Sequence, residues 1–114
     1  STTLNRVQPK LTAEIIGPDV VTQGENPEYY LELKDEAGND VERRVRWSLD
    51  NDAYIEDYNR YDTKSGQDYK IRLKFWGWSQ ADTYKITVTY HSSSDMNNWS
   101  PVDTITKTIT FKRN

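Results

Sequence analysis

The sequence predicts an all-β fold, an antiparallel β-sandwich of about seven short strands. Three observations carry this. Short runs alternate apolar and polar residues with a period of two, as half-buried strands do. Turn residues separate those runs, and no stretch shows a convincing helical period. Thr, Val, Ile and Tyr are abundant, which suits a pleated, half-buried surface. At 114 residues the chain fits one domain. A core of that size forms without covalent or metal staples. A small closed barrel is the main architectural alternative.

The elements follow in order. Residues 1–9 are polar and read as a flexible lead-in to a single domain over residues 10–114. Lys10 to Ile16 reads as a first strand, ended by Gly17-Pro18. Val20 to Pro27 reads as a connection, with Gly24 and Pro27 as breakers. From Glu28 to Lys34, Tyr29, Leu31 and Leu33 share one face, while Glu28, Tyr30, Glu32 and Lys34 share the other. Asp35 to Asp40 is a strong turn signal.

Val41, Arg43, Val45, Trp47 and Leu49 then alternate with Glu42, Arg44, Arg46 and Ser48, Arg43 being the exception on the apolar face. Asp50 to Asp68 is polar and irregular, with one short strand expected at Ala53 to Tyr58. Tyr69, Ile71, Leu73 and Phe75 point inward in the next strand, which Trp76-Gly77-Trp78-Ser79 ends. A polar turn leads into Tyr84, Ile86, Val88 and Tyr90 on one face of a further strand. A polar loop from His91 to Pro101 precedes the last strand, Val102 to Phe111, with Ile105, Ile109 and Phe111 on one face and Thr residues on the other.

Composition narrows the function classes. Apolar residues are only 34% of the chain, a shortfall that Tyr and Trp rings partly meet. Fifteen basic and 18 acidic residues are interspersed, for a net charge of −3. That surface lacks the basic stripe that nucleic acid or an acidic membrane selects. No apolar run approaches the roughly 20 residues of a membrane span. The absence of cysteine excludes disulfides and thiolate metal sites. The opening Ser1-Thr2-Thr3, without an initiator Met, is expected of an excised or processed segment.

A Tyr at the start of a strand, as at Tyr84, resembles the tyrosine corner of immunoglobulin-like sandwiches. Further features line up with it: Ile16-Gly17-Pro18, Val20-Val21, Gly24, Tyr30, Gly38, Val45-Arg46-Trp47 and Tyr84-Lys85-Ile86-Thr87-Val88. Over Leu11 to Phe111 the chain resembles the bacterial and viral Ig-like domains of the polycystic-kidney-disease (PKD) type. It departs from that pattern after Trp47, where Ser48-Leu49-Asp50-Asn51 replaces a Phe-Gly-Asp-Gly-like turn. Ile86 stands where an antibody-type domain has its second Cys. The resemblance implies a spacer, adhesion or assembly module of a larger cell-surface or virion protein, without catalysis.

Candidate site residues fall in three groups. Trp76, Trp78 and Trp99 are candidate carbohydrate contacts, because flat indole faces stack on the C–H face of a pyranose. Ser79, Gln80, Asn97 and Asn98 would then reach hydroxyls, whereas the competing role for the indoles is to seal the sandwich end. Trp47 is expected in the core. Tyr54, Tyr58 and Tyr61 form a second candidate partner-contact patch or cover a sheet edge. Asp50, Asp52, Glu56 and Asp57 supply hard oxygens of the kind calcium takes, without EF-hand spacing. A solvated acidic loop is the simpler reading.

Catalysis has little footing. The single His91 precedes Ser92, Ser93, Ser94 and Asp95, and sequence neighbours in a loop rarely reach triad geometry. No cofactor other than calcium is suggested. The expected partner is a protein or glycan at a surface, and the isolated domain is expected to be monomeric.

Overall fold

The computed structural model describes residues 11–50, 53–55, 63–75, 81–91 and 102–113. The lead-in expected at residues 1–9 lies outside them. The strands are β1 (Thr12–Ile16), β2 (Val20–Thr22), β3 (Glu28–Lys34), β4 (Arg44–Leu49), β5 (Ala53–Ile55), β6 (Thr63–Lys64), β7 (Ile71–Phe75), β8 (Thr83–His91) and β9 (Val102–Lys112). They form an immunoglobulin-like β-sandwich. One sheet has the order β1-β3-β7-β5 and the other β2-β9-β8-β4-β6.

The period-two pattern decides which side chains meet between the sheets. Tyr29, Leu31 and Leu33 of β3 are buried, as are Val45 and Trp47 of β4 and Ile71 and Leu73 of β7. Tyr84, Ile86, Val88 and Tyr90 of β8 face the same core with Ile109 and Phe111 of β9. Trp47 lies opposite Val88 in the ladder and fills the core position expected of it. Ile86 is fully buried where a cystine would stand in an antibody domain, so packing replaces a covalent link there. At one end Phe75, Tyr84 and Phe111 pack ring to ring, Tyr84 edge-on to both, with centroids 4.8 and 5.7 Å away.

The chain changes sheets at Gly17-Pro18. β1 pairs antiparallel with β3, and β2 then pairs parallel with β9, Val20 opposite Thr110. This corrects two expectations: Val20 to Thr22 is a strand rather than a connection, and the sandwich is not wholly antiparallel. The run is too short for periodicity to reveal. Val21 is buried in the core, and the Thr110 amide donates to the Asp19 carbonyl at 2.9 Å. The switch itself depends on a close approach. An added Cβ at Gly17 would lie 2.1 Å from Cδ1 of Tyr29. The same tyrosine hydroxyl donates to the Pro18 carbonyl at 2.6 Å.

The turn expected at Asp35 to Asp40 forms as read. Asp35 Oδ1 accepts the amides of Ala37 and Asn39 at 3.0 and 2.9 Å. Several strands differ from the sequence reading: β1 begins at Thr12, β8 runs on through His91, read as the start of a polar loop, and β9 reaches Lys112. β4 begins at Arg44, so Arg43 stands outside it, its Nη1 donating to the Glu42 carbonyl at 2.9 Å. β6 is a two-residue strand pairing with β4 inside the polar stretch. β7 begins at Ile71, because Gln67–Tyr69 form a 3-10 turn after Gly66. Tyr69 is therefore not an inward strand residue.

Candidate functional site

A groove of about 340 Å³ lies on the outer side of β3. Tyr30 and Glu32 project into it because Tyr29, Leu31 and Leu33 take the core face of the same strand. Its other walls are the 40–42 segment and the loop from Ser65 to Tyr69.

Backbone hydrogen bonds hold those walls against β3. Gly66 donates to the Leu31 carbonyl at 2.8 Å and Val41 to the Leu33 carbonyl at 3.0 Å. These bonds occupy β3 where β7 does not run beside it, since the β3–β7 ladder covers Glu28 and Tyr29. Ser65 is buried, and its hydroxyl accepts from the Arg43 amide at 2.9 Å and donates to the Val41 carbonyl at 3.2 Å. Gly66 has φ 114° and ψ 159°, a region almost confined to glycine. That conformation lets the loop double back so that the Tyr69 amide reaches the Gly66 carbonyl at 3.1 Å.

Asp40 and Glu42, which line the groove, each pair with a lysine beside it. Lys34 Nζ lies 3.0 Å from Asp40 and Lys64 Nζ 3.2 Å from Glu42. The hydrogen bond to Asp40, then its charge, raises the Lys34 pKa above its ordinary value, and Glu42 acts likewise on Lys64. The Lys64 ammonium also stands 5.8 Å from the Tyr69 ring centroid, within cation–π range. Glu32 and Asp68 add acidic character inside. Two half-buried phenol rings thus stand beside acceptors and exposed ion pairs.

Of the residues singled out from sequence, Trp76, Trp78, Trp99, Tyr58, Tyr61, Asp52, Glu56 and Asp57 lie outside the described residues. Tyr54 lies in β5, its backbone opposite Lys74. Asp50 is engaged at the end of β4: its Oδ1 accepts the Lys85 amide at 2.7 Å. Among the described residues no three His, Cys, Asp or Glu side chains gather as a metal site. His91 ends β8 with its ring fully buried. Sequence reading missed the groove, although Tyr30 on the polar face of β3 was a usable signal. Tyr69 carried no such signal, because the 3-10 turn that turns it outward follows from tertiary hydrogen bonds.

No protein-family model matches the chain, and no curated protein sequence matches it. Solved structures do. Domains 4 and 5 of the S-layer protein SbsC align with a TM-score of 0.56 at 14% identity, over 91% of this chain and 53% of that one. The chain thus spans about half the length of that structure. A CARDB domain from Pyrococcus furiosus in complex with di-metal ions aligns at 0.48 and 21% identity, covering 96% of this chain and all of that one. The SrpA adhesin from Streptococcus sanguinis aligns at 0.44 and 14% identity, over 97% and 61%. At these identities the likeness to the S-layer domains shows the fold.

Proposed function

We propose that this chain is a non-enzymatic structural and adhesion module of a larger cell-surface or virion protein. The observation that carries this reading is the groove. Its tyrosine rings are presented half-buried on a hydrogen-bonded frame, and Asp40 and Glu42 on its rim are engaged by lysines. Rigid aromatic rings with polar neighbours suit recognition at low entropic cost. The sandwich likeness to S-layer domains supports the same reading, as does the PKD-type resemblance of Val45-Arg46-Trp47 and Tyr84 to Val88. The partner is a protein or glycan at a surface, met at Tyr30 and Tyr69. Trp76, Trp78 and Trp99 are the competing contact residues, with carbohydrate binding as their expected chemistry, and Tyr54, Tyr58 and Tyr61 are alternative partner contacts.

The test is binding of the immobilised chain to intact cell-envelope preparations and to a glycan array. The parent is compared with Tyr30→Ala/Tyr69→Ala and with Trp76→Ala/Trp78→Ala. Loss of surface binding in the folded tyrosine variant supports the groove. Glycan binding lost only in the tryptophan variant makes the protein a carbohydrate-binding module instead. Turnover of any bound glycan would overturn the non-enzymatic assignment.

A further inference from the structure

β9 is 11 residues long, yet β2 pairs only with Thr110 to Lys112. The Phe111 amide donates to the Asp82 carbonyl on the β8 side at 2.8 Å, while the Thr110 amide donates toward β2. Backbone groups alternate along an antiparallel ladder. Thr104 and Thr106 therefore direct their amides and carbonyls away from β8. Among the described residues no strand pairs with that stretch. Both threonines are exposed, and their hydroxyls lie 3.3 and 3.4 Å from those of Thr89 and Thr87 on the sheet's outer face.

The intervening residues occupy the other face of the strand. Ile105 packs half-buried against the core; Val102, exposed at the strand's start, shares the outer face with the threonines. Lys107 pairs with Asp19. Asp103 makes no ion pair among the described residues. Charges on an edge strand discourage indiscriminate pairing. An added strand without a matching cation leaves Asp103 facing apolar or like-charged neighbours, whereas Lys107 already has Asp19 beside it. One register gives Asp103 a cation and lets Lys107 serve two carboxylates.

We propose that the β9 edge pairs antiparallel with the β9 edge of a second copy of this chain, about a two-fold axis at Ile105. In that register Asp103 of each copy lies opposite Lys107 of the other. Ile105 meets its own symmetry mate between the two ion pairs. Thr104 and Thr106 are then a hydrogen-bonded pair, each exchanging amide and carbonyl with the other copy. The two five-stranded sheets become one continuous sheet. A register shifted by two residues breaks both charge pairs, so the match is specific to the self-contact, which is isologous as a two-fold interface requires. A single strand edge is a small interface, so the contact is weak in dilute solution and gains strength where many copies share one surface.

Sedimentation equilibrium of the 114-residue chain at concentrations up to about 1 mM reads this directly. The parent self-associates to a dimer. Asp103→Lys and Lys107→Asp each place like charges opposite one another twice, and each alone lowers the association constant by about tenfold. An equimolar mixture of the two variants restores association, because each supplies the charges that the other lacks. Thr106→Pro removes an outward amide while sparing the β8 ladder, and it abolishes the dimer in a chain that circular dichroism shows folded. A parent that stays monomeric throughout overturns the proposal. So does a mixture that associates no better than its components, a Thr106→Pro variant that associates like the parent, or a monomeric parent whose β9 edge takes up a strand of another sequence.

Discussion

Replacing Gly17 by alanine isolates the contact on which the sheet switch turns. The backbone there is outside the left-handed region, so the effect is steric. The new Cβ would lie 2.1, 2.5 and 2.8 Å from Cδ1, Cε1 and Cγ of Tyr29. Carbon atoms rest about 3.5 Å apart, so ring and backbone must separate by about 1.4 Å. The ring has little freedom to do so. Tyr29 is fully buried, its backbone pairs with Ile71, and its hydroxyl is tied to Pro18, the residue next to the substitution. A retreat of that size stretches the 2.6 Å bond past the roughly 3.5 Å at which a hydrogen bond ends.

Overpacking costs about 1–3 kcal/mol and the lost bond about 1 kcal/mol, so about 3 kcal/mol is expected in all. With an unfolding entropy of about 2.1 cal/mol/K per residue, that lowers Tm by about 12 °C in a chain of 114 residues. Thermal and urea unfolding measure it. The same substitution on a Tyr29→Ala background, where ring and hydroxyl are both gone, costs about 3 kcal/mol less. A Gly17→Ala chain within about 2 °C of the parent would refute the reasoning. So would an equal cost in both backgrounds.

Two further expectations concern the same structural parts. Burial, then the charges of Asp19 and Glu25, hold the Tyr29 phenol well above its ordinary pKa of 10.0. Its folded-state pKa is raised, so the stability it contributes is fully present below pH 10 and is lost as pH rises toward the folded-state value. Tyr29→Phe loses about 1 kcal/mol at neutral pH. It then loses less than the parent on the alkaline side, and parallel Tm–pH curves above pH 10 would contradict this. Gly66→Ala forces a side chain into φ 114°, ψ 159°, at a cost of about 1–3 kcal/mol. Faster amide exchange at Ser65 and Gly66 should accompany that loss, and unchanged protection would show that the loop does not depend on this conformation.

Much of the fold was legible because strands half-buried against one core advertise themselves by alternation. β3, β4, β7, β8 and β9 each show it, and Trp47, Tyr84 and Ile86 occupy the core positions read for them. β2 and β6 were not legible. Three and two residues carry no measurable period, and their pairing with β9 and β4 depends on partners far along the chain. The groove was half legible. Tyr30 marks itself as an aromatic on a polar face, whereas Tyr69 sits in an apparent alternation with Ile71 that the 3-10 turn interrupts.

By itself, then, the amino-acid order determined an all-β sandwich, its central strands and their inward faces, and the Asp35 turn. These depend on local geometry and on how each side chain partitions from water. Only the tertiary structure decided the sheet switch at Gly17, the parallel β2–β9 pairing, the walls around Tyr30 and Tyr69, and the stretch of β9 that β2 leaves unpaired. Each of these depends on which distant segments come within a few ångströms of one another, and sequence periodicity carries no record of that distance.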